Sequence, residues 1–172
     1  MQNLQSVKKL FFINITIGNI FRKFKIVYIY GSTRIGKTKY GMDKYGYANI
    51  YQVTSYGSGS FDGYSGQNVI MFDELRPSFP ISQTLTFLDG YPLQLPCRYS
   101  NKTTLFTKVY IISNIPLDKQ YTNTQNTEPQ TYDAFLCKIS AVYNFDKSKV
   151  KPKAVSMNGK LLLPLYNNTL RF

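Results

Sequence analysis

The chain has 172 residues, enough for one domain with a full core and too few for two ordinary ones. With 43% hydrophobic and 16% aromatic residues it belongs among globular rather than disordered chains, and its net charge of +12 suits a polyanionic partner, most simply nucleic acid. Histidine is absent, which rules out His-containing zinc sites, Ser-His-Asp or Cys-His pairs and any histidine general base; Cys97 and Cys137 fit no metal spacing or disulfide framework, so a reducing, cytoplasmic compartment is the default.

Lys8-Lys9 and the stretch 10–21 outline a weak signal-peptide pattern, but Asn14, Thr16, Gly18 and Asn19 interrupt it and no small-residue cleavage site follows. The stretch is also too short to span a membrane, and residues 1–25 read as an amphipathic arm packed on the domain or on a neighbouring subunit. The folded domain is expected over 26–146 and a basic tail over 147–172; from Asp146 to Lys160 the chain carries Lys147, Lys149, Lys151, Lys153 and Lys160 against that one acid.

Short apolar runs rich in Val, Ile and Tyr occupy 26–30, 49–53, 68–72, 108–112 and 139–145, as buried parallel strands do. Candidate helices at 37–44, 82–88 and 131–138 lie between them, so the alternation predicts an α/β domain, a central parallel sheet flanked by helices. The Gly- and Ser-rich residues 55–67 read as a surface loop, and 115–130 as a second, polar one.

The first run ends in GSTRIGKT, residues 31–38, which fits the phosphate-binding pattern G-x-x-x-x-G-K-[ST] between a strand and a helix. Gly31 and Gly36 let the backbone of Gly31, Ser32, Thr33, Arg34, Ile35 and Gly36 curl into an anion cradle, and the helix opening at Lys37 adds its positive end. Lys37 is then the ligand of the β- and γ-phosphates of ATP, and the Thr38 hydroxyl a ligand of Mg²⁺. The third run ends in Asp73-Glu74, where Asp73 would support Mg²⁺ and Glu74 would orient and deprotonate the attacking water. The fourth ends in Ser113-Asn114, whose amide can touch both the γ-phosphate and that water. All three motifs fall at strand C-termini, where open parallel sheets bind ligands. Between the last two, PLQLPCRYSNKTTLFTK (92–108) reads as a protruding hairpin in which Arg98 and Lys102, interleaved with Tyr99 and Phe106, suit a single strand of nucleic acid.

The ordered set GSTRIGKT, NVIMFDEL, FLDGYPLQLPCRYSNK and KVYIISN resembles a superfamily 3 helicase domain over about Arg22 to Phe145, nearest to replication initiators of small circular single-stranded DNA viruses and related plasmids. The domain type also resembles the RNA helicase domains of small RNA viruses, so single-stranded DNA and RNA both stand as partners. The resemblance implies an AAA+-like P-loop NTPase that hydrolyses ATP with Mg²⁺ and assembles into a homo-oligomeric ring, usually a hexamer, around the strand. It places Arg98 at the family's basic hairpin position, with Lys102 close by. Full-length initiators also carry an endonuclease domain built on a His-x-His site; with no histidine here, that activity is expected from elsewhere. Relatives have an Arg pair where this chain has Cys137-Lys138, so Lys138 stands where an arginine finger would act in trans, without the guanidinium fork. Arg34-Ile35 also brings bulk where relatives have small residues. The resemblance implies an ATP-driven helicase replicating a small viral or plasmid genome, in the cytoplasm or, for a virus of eukaryotes, the host nucleus. A nucleic-acid-binding remnant without turnover is the alternative, and a small nucleotide kinase suits the adjacent acids and Asn114 poorly.

Overall fold

The computed structural model describes residues 21–145 and the backbone of residues 153–154. In chain order the elements are β1 (Lys25–Gly31), α1 (Lys37–Tyr45), β2 (Ile50–Val53), β3 (Val69–Phe72), α2 (Ile81–Phe87), β4 (Gln94–Leu95), β5 (Lys102–Thr103), β6 (Lys108–Ser113), α3 (Thr122–Thr127), α4 (Pro129–Lys138), β7 (Ala141–Phe145) and β8 (Lys153–Ala154). The main sheet runs β2-β3-β6-β1-β7-β8, its first five strands parallel and β8 antiparallel to β7, while β4 and β5 form a separate hairpin. This is the fold of a P-loop NTPase, a parallel sheet with helices packed on it.

Strand side chains alternate between two apolar layers, because successive residues point to opposite faces. Ile26, Tyr28, Ile70, Phe72, Val109 and Ile111 join one core with Phe87 of α2 and Phe135 of α4. Val27, Ile29, Val69, Met71, Tyr110 and Ile112 join the other with Met42 of α1. Burial on both faces explains why these strands read as continuous apolar runs rather than as alternating ones.

Three expectations change. Residues 115–130 are not a loop: a 3-10 turn covers Leu117–Lys119, α3 covers Thr122–Thr127 and α4 opens at Pro129. The α3 sequence TNTQNT has no apolar stripe to reveal a helix; it is tied down instead by Gln125 Nε2, which donates to the carbonyls of Asp118 and Gln120. Residues 55–67 do form a loop without regular structure, yet Phe61 and Tyr64 are buried, so it is anchored in the core rather than lying on the surface. Lys153–Ala154 extend the sheet as β8, within the segment expected to be a tail beyond the core. The rest of that tail, and residues 1–20 of the expected arm, lie outside the described residues.

Just ahead of β1, Arg22 packs on the domain. Arg22 is 5% exposed, its guanidinium donating to the carbonyls of Phe106 at 3.2 Å and Tyr91 at 3.0 Å and lying 4.8 and 5.2 Å from the ring centres of Phe24 and Phe106. Desolvation by this burial lowers its pKa.

Candidate functional site

Between β1 and α1 the chain turns in two conformations that side chains rarely adopt. Gly31 has φ +148°, and a Cβ there would strike the Phe145 carbonyl oxygen of the neighbouring strand β7, so only glycine fits. Gly36 has φ +86°, a left-handed conformation that favours glycine, with nothing within 4 Å of a Cβ position. Arg34 is left-handed as well, with φ 64°, a conformation that turns loop amides to one side in the manner of an anion-binding nest. Ile35 packs back toward Gly31, its Cδ1 2.6 Å from where a Cβ would stand, so the bulk of Ile35 faces the β1 end of the loop.

Lys37 begins α1 and is 7% exposed. Its ammonium donates to Gly31 O at 2.8 Å, Ser32 O at 2.7 Å and Asn114 Oδ1 at 2.9 Å. Burial lowers its pKa, opposed by the charges of Asp73 and Glu74.

Asp73 stands one residue past β3, its N–H bonded to Val53 O at 3.0 Å. Thr38 Oγ1 lies 3.3 Å from each of its carboxylate oxygens, Gln52 Nε2 donates to Oδ2 at 2.6 Å, and the Glu74 N–H donates to Oδ1 at 3.1 Å. The Tyr56 hydroxyl donates to the Asp73 carbonyl at 2.6 Å, and burial raises the pKa of that phenol. Glu74 is strained, with φ 52°, and its carboxylate pairs with Arg76 at 3.1 Å, both side chains more than half exposed.

Asn114 follows β6 on a turn clamped from both sides. Ser113 Oγ donates to Leu75 O and accepts from the Ile115 N–H and from Gln120 Nε2 at 2.8 Å; the Tyr28 hydroxyl donates to Ile115 O at 2.8 Å. Gln120 and Tyr28 are both fully buried, with the Tyr28 pKa raised by desolvation.

The structure therefore brings Thr33 to Thr38, Asp73, Glu74 and Asn114 around one cavity of about 150 Å³, with Gly31 and Ser32 joined to it through Lys37. A second cavity of about 390 Å³ adjoins it across Asp73 and Glu74 and is lined by Thr54, Tyr56, Arg76 and Phe79 among others. A triphosphate fits this arrangement, because Thr33 to Thr38 at the start of α1 line the cavity opposite Asp73 and Asn114, and the Lys37 ammonium reaches it. Mg²⁺ fits as well: a hydroxyl and one carboxylate are the sparse oxygen donors that a magnesium ion combines with phosphates and water. Among the described residues no group of three His, Cys, Asp or Glu side chains converges to cage a metal, which leaves this two-residue set.

Three predicted residues lie outside the cluster. Arg98 sits between β4 and β5, its N–H bonded to Asp62 Oδ1 at 3.0 Å and its Nε 3.6 Å from Asp62 Oδ2. The Lys102 ammonium donates to the carbonyls of Asp62 and Tyr64, so it bolts the hairpin to the 55–67 loop, whereas the neighbouring Tyr99 is 96% exposed. Lys138 ends α4 and pairs with Asp89 at 3.5 Å. Sequence reasoning passed over Gln52, Tyr56, Tyr28 and Gln120. The one available signal was Gln52, a polar residue inside the apolar run 49–53.

A family model described as RNA helicase matches residues 27–114, which contains the loop, the paired acids and Asn114. No curated protein matches the chain. Among solved structures, the chain is similar to the S. cerevisiae Hsp104-ADP complex at 16% identity and TM-score 0.44, covering 73% of this chain and 24% of that one. It is also similar to the S. cerevisiae Hsp104:casein complex in its extended conformation, at 18% identity and TM-score 0.41, covering 75% of this chain and 30% of that one. The chain thus spans under a third of the length of either structure.

Proposed function

The chain belongs to the RNA helicase family, and from that premise we propose that it is an ATP-driven helicase or translocase on single-stranded nucleic acid, acting in the replication of a small viral or plasmid genome. The observation that carries the reading is the direct contact between motifs far apart in sequence: Lys37 on Asn114, and Thr38 on Asp73.

The loop amides and Lys37 bind the β- and γ-phosphates, Lys37 exchanging its internal acceptors for phosphate oxygens. Thr38 and Asp73 hold Mg²⁺, which when bound neutralises charge developing on the phosphates. Glu74 turns from Arg76 to orient the attacking water and take its proton, and Asn114 contacts the γ-phosphate and that water. Arg98 and the exposed Tyr99 grip the strand by charge and stacking, while Lys102 supports them by fixing the hairpin. Copies of the chain form a cytoplasmic ring in which Lys138 acts on the neighbouring subunit.

A remnant that binds nucleic acid without turnover is the second reading, favoured by one observation: Lys138 pairs with Asp89 of its own chain. ATP turnover of the purified chain, alone and with poly(dT) or poly(U), separates the two. The helicase reading predicts turnover stimulated by at least one polymer and reduced about a hundredfold or more by Lys37→Ala. Salt-sensitive polymer binding with turnover at background in every arm identifies the remnant instead.

A further inference from the structure

We propose that Gln52 is a positioning residue that sets the Mg²⁺ requirement of this site by holding the Asp73 carboxylate; the inference rests on the nucleotide-site reading above. Gln52 pairs in register with Met71, and strand alternation carries the same face on from Met71 to Asp73. That face is the one packed by α1, through Ile50, Met71 and Met42. An amide on β2 thereby reaches a carboxylate that stands beyond the end of β3.

The contacts divide the work. Tyr56 and the Val53 carbonyl fix the Asp73 main chain, at 2.6 and 3.0 Å. On the carboxylate, the Glu74 N–H holds Oδ1 at 3.1 Å and Gln52 holds Oδ2 at 2.6 Å. Thr38 Oγ1 is equally distant from both oxygens, at 3.3 Å, so it is the loosest of the three and the one free to exchange. Among the described residues Gln52 makes the one short side-chain bond to this carboxylate, and without it the group can swing about its terminal torsion. An amide suits the task because it donates a hydrogen bond while adding no charge; an ammonium would orient the same carboxylate and compete with the metal for it. Gln52 touches no reacting atom, and the effect passes through Asp73.

The test is binding of a fluorescent ATP analogue to the full chain, titrated with MgCl₂ and repeated in EDTA. Gln52→Met keeps the volume and removes the donor. It should raise the MgCl₂ concentration at half-saturation by about tenfold, the lower end of the usual cost of losing a hydrogen bond behind a metal ligand, and leave affinity in EDTA unchanged. Gln52→Lys serves as a second variant if the first fails to fold, and should raise the MgCl₂ requirement through its charge. An unchanged MgCl₂ midpoint in a folded variant, or affinity lost equally with and without magnesium, overturns the proposal while leaving the nucleotide site standing. A parent chain that binds no analogue at any MgCl₂ concentration overturns both.

Discussion

All three donors of the Lys37 ammonium are satisfied inside the protein, so phosphate binding at this residue exchanges acceptors rather than capturing an unpaired charge. Asn114 is one of those acceptors, which gives Asn114→Ala a divided outcome: nucleotide affinity close to the parent, and turnover down about a hundredfold because a group facing the transferred phosphate is gone. Steady-state kinetics beside equilibrium binding would check it, and equal losses in both would show that Asn114 only shapes the pocket. At Gly31 the backbone itself is at stake. Gly31→Ala should destabilise the fold by about 2 kcal/mol or more in urea denaturation, since its Cβ meets a main-chain carbonyl of β7 that has little room to retreat. That Lys37, Thr38, Asp73 and Asn114 would meet was legible in the sequence, because the loop 31–38 and the two polar strand ends all fall at the C-terminal edge of a parallel sheet. Gln52 was not, because its role depends on the pairing of β2 with β3, and a single polar residue in a strand is ordinarily just a solvent-facing position.

At the scale of elements, the strands were readable from composition because both sheet faces are buried. The 115–130 segment was not, because its order comes from side chains bonding to backbone: Gln120 to Leu75 O, Gln125 to Asp118 O, and the Tyr132 hydroxyl to Leu117 O at 2.7 Å. The same kind of bond fixes the Asn114 turn. Tyr28→Phe removes the hydroxyl that holds Ile115 O and leaves that carbonyl short of a partner, a loss of about 1 kcal/mol and a fall of several degrees in melting temperature. An unchanged melting temperature would mean that the turn is held by Ser113 and Gln120 alone. The hairpin was foreseen as basic and aromatic, but which cation meets solvent was decided by tertiary contact: the Asp62 and Tyr64 carbonyls take Lys102, whereas the Arg98 side chain stays more than half exposed next to the exposed Tyr99.

Across the whole molecule, a net charge of +12 and a helicase-family core point to affinity for a strand that falls steeply with salt. Charge on the hairpin is only part of that total, so Arg98→Ala should lower polymer affinity and flatten the salt dependence by about one counterion, leaving nucleotide binding intact. Ring assembly carries its own prediction through Lys138. A guanidinium forks onto phosphate where an ammonium does not, so Lys138→Arg should raise turnover about tenfold or more in a ring-sized species while leaving a monomer unaffected. Light scattering coupled to a turnover assay reads both quantities together; no gain in the ring would assign the trans charge to another residue.

The direct test of the account is to measure ATP binding and phosphate release side by side in Glu74→Gln. If the strand ends assemble a hydrolytic site, this variant binds ATP with Mg²⁺ as tightly as the parent chain and releases phosphate more slowly by about a hundredfold or more. Phosphate release at the parental rate would contradict the assignment of Glu74 and, with it, the claim that this fold couples hydrolysis to movement along a strand.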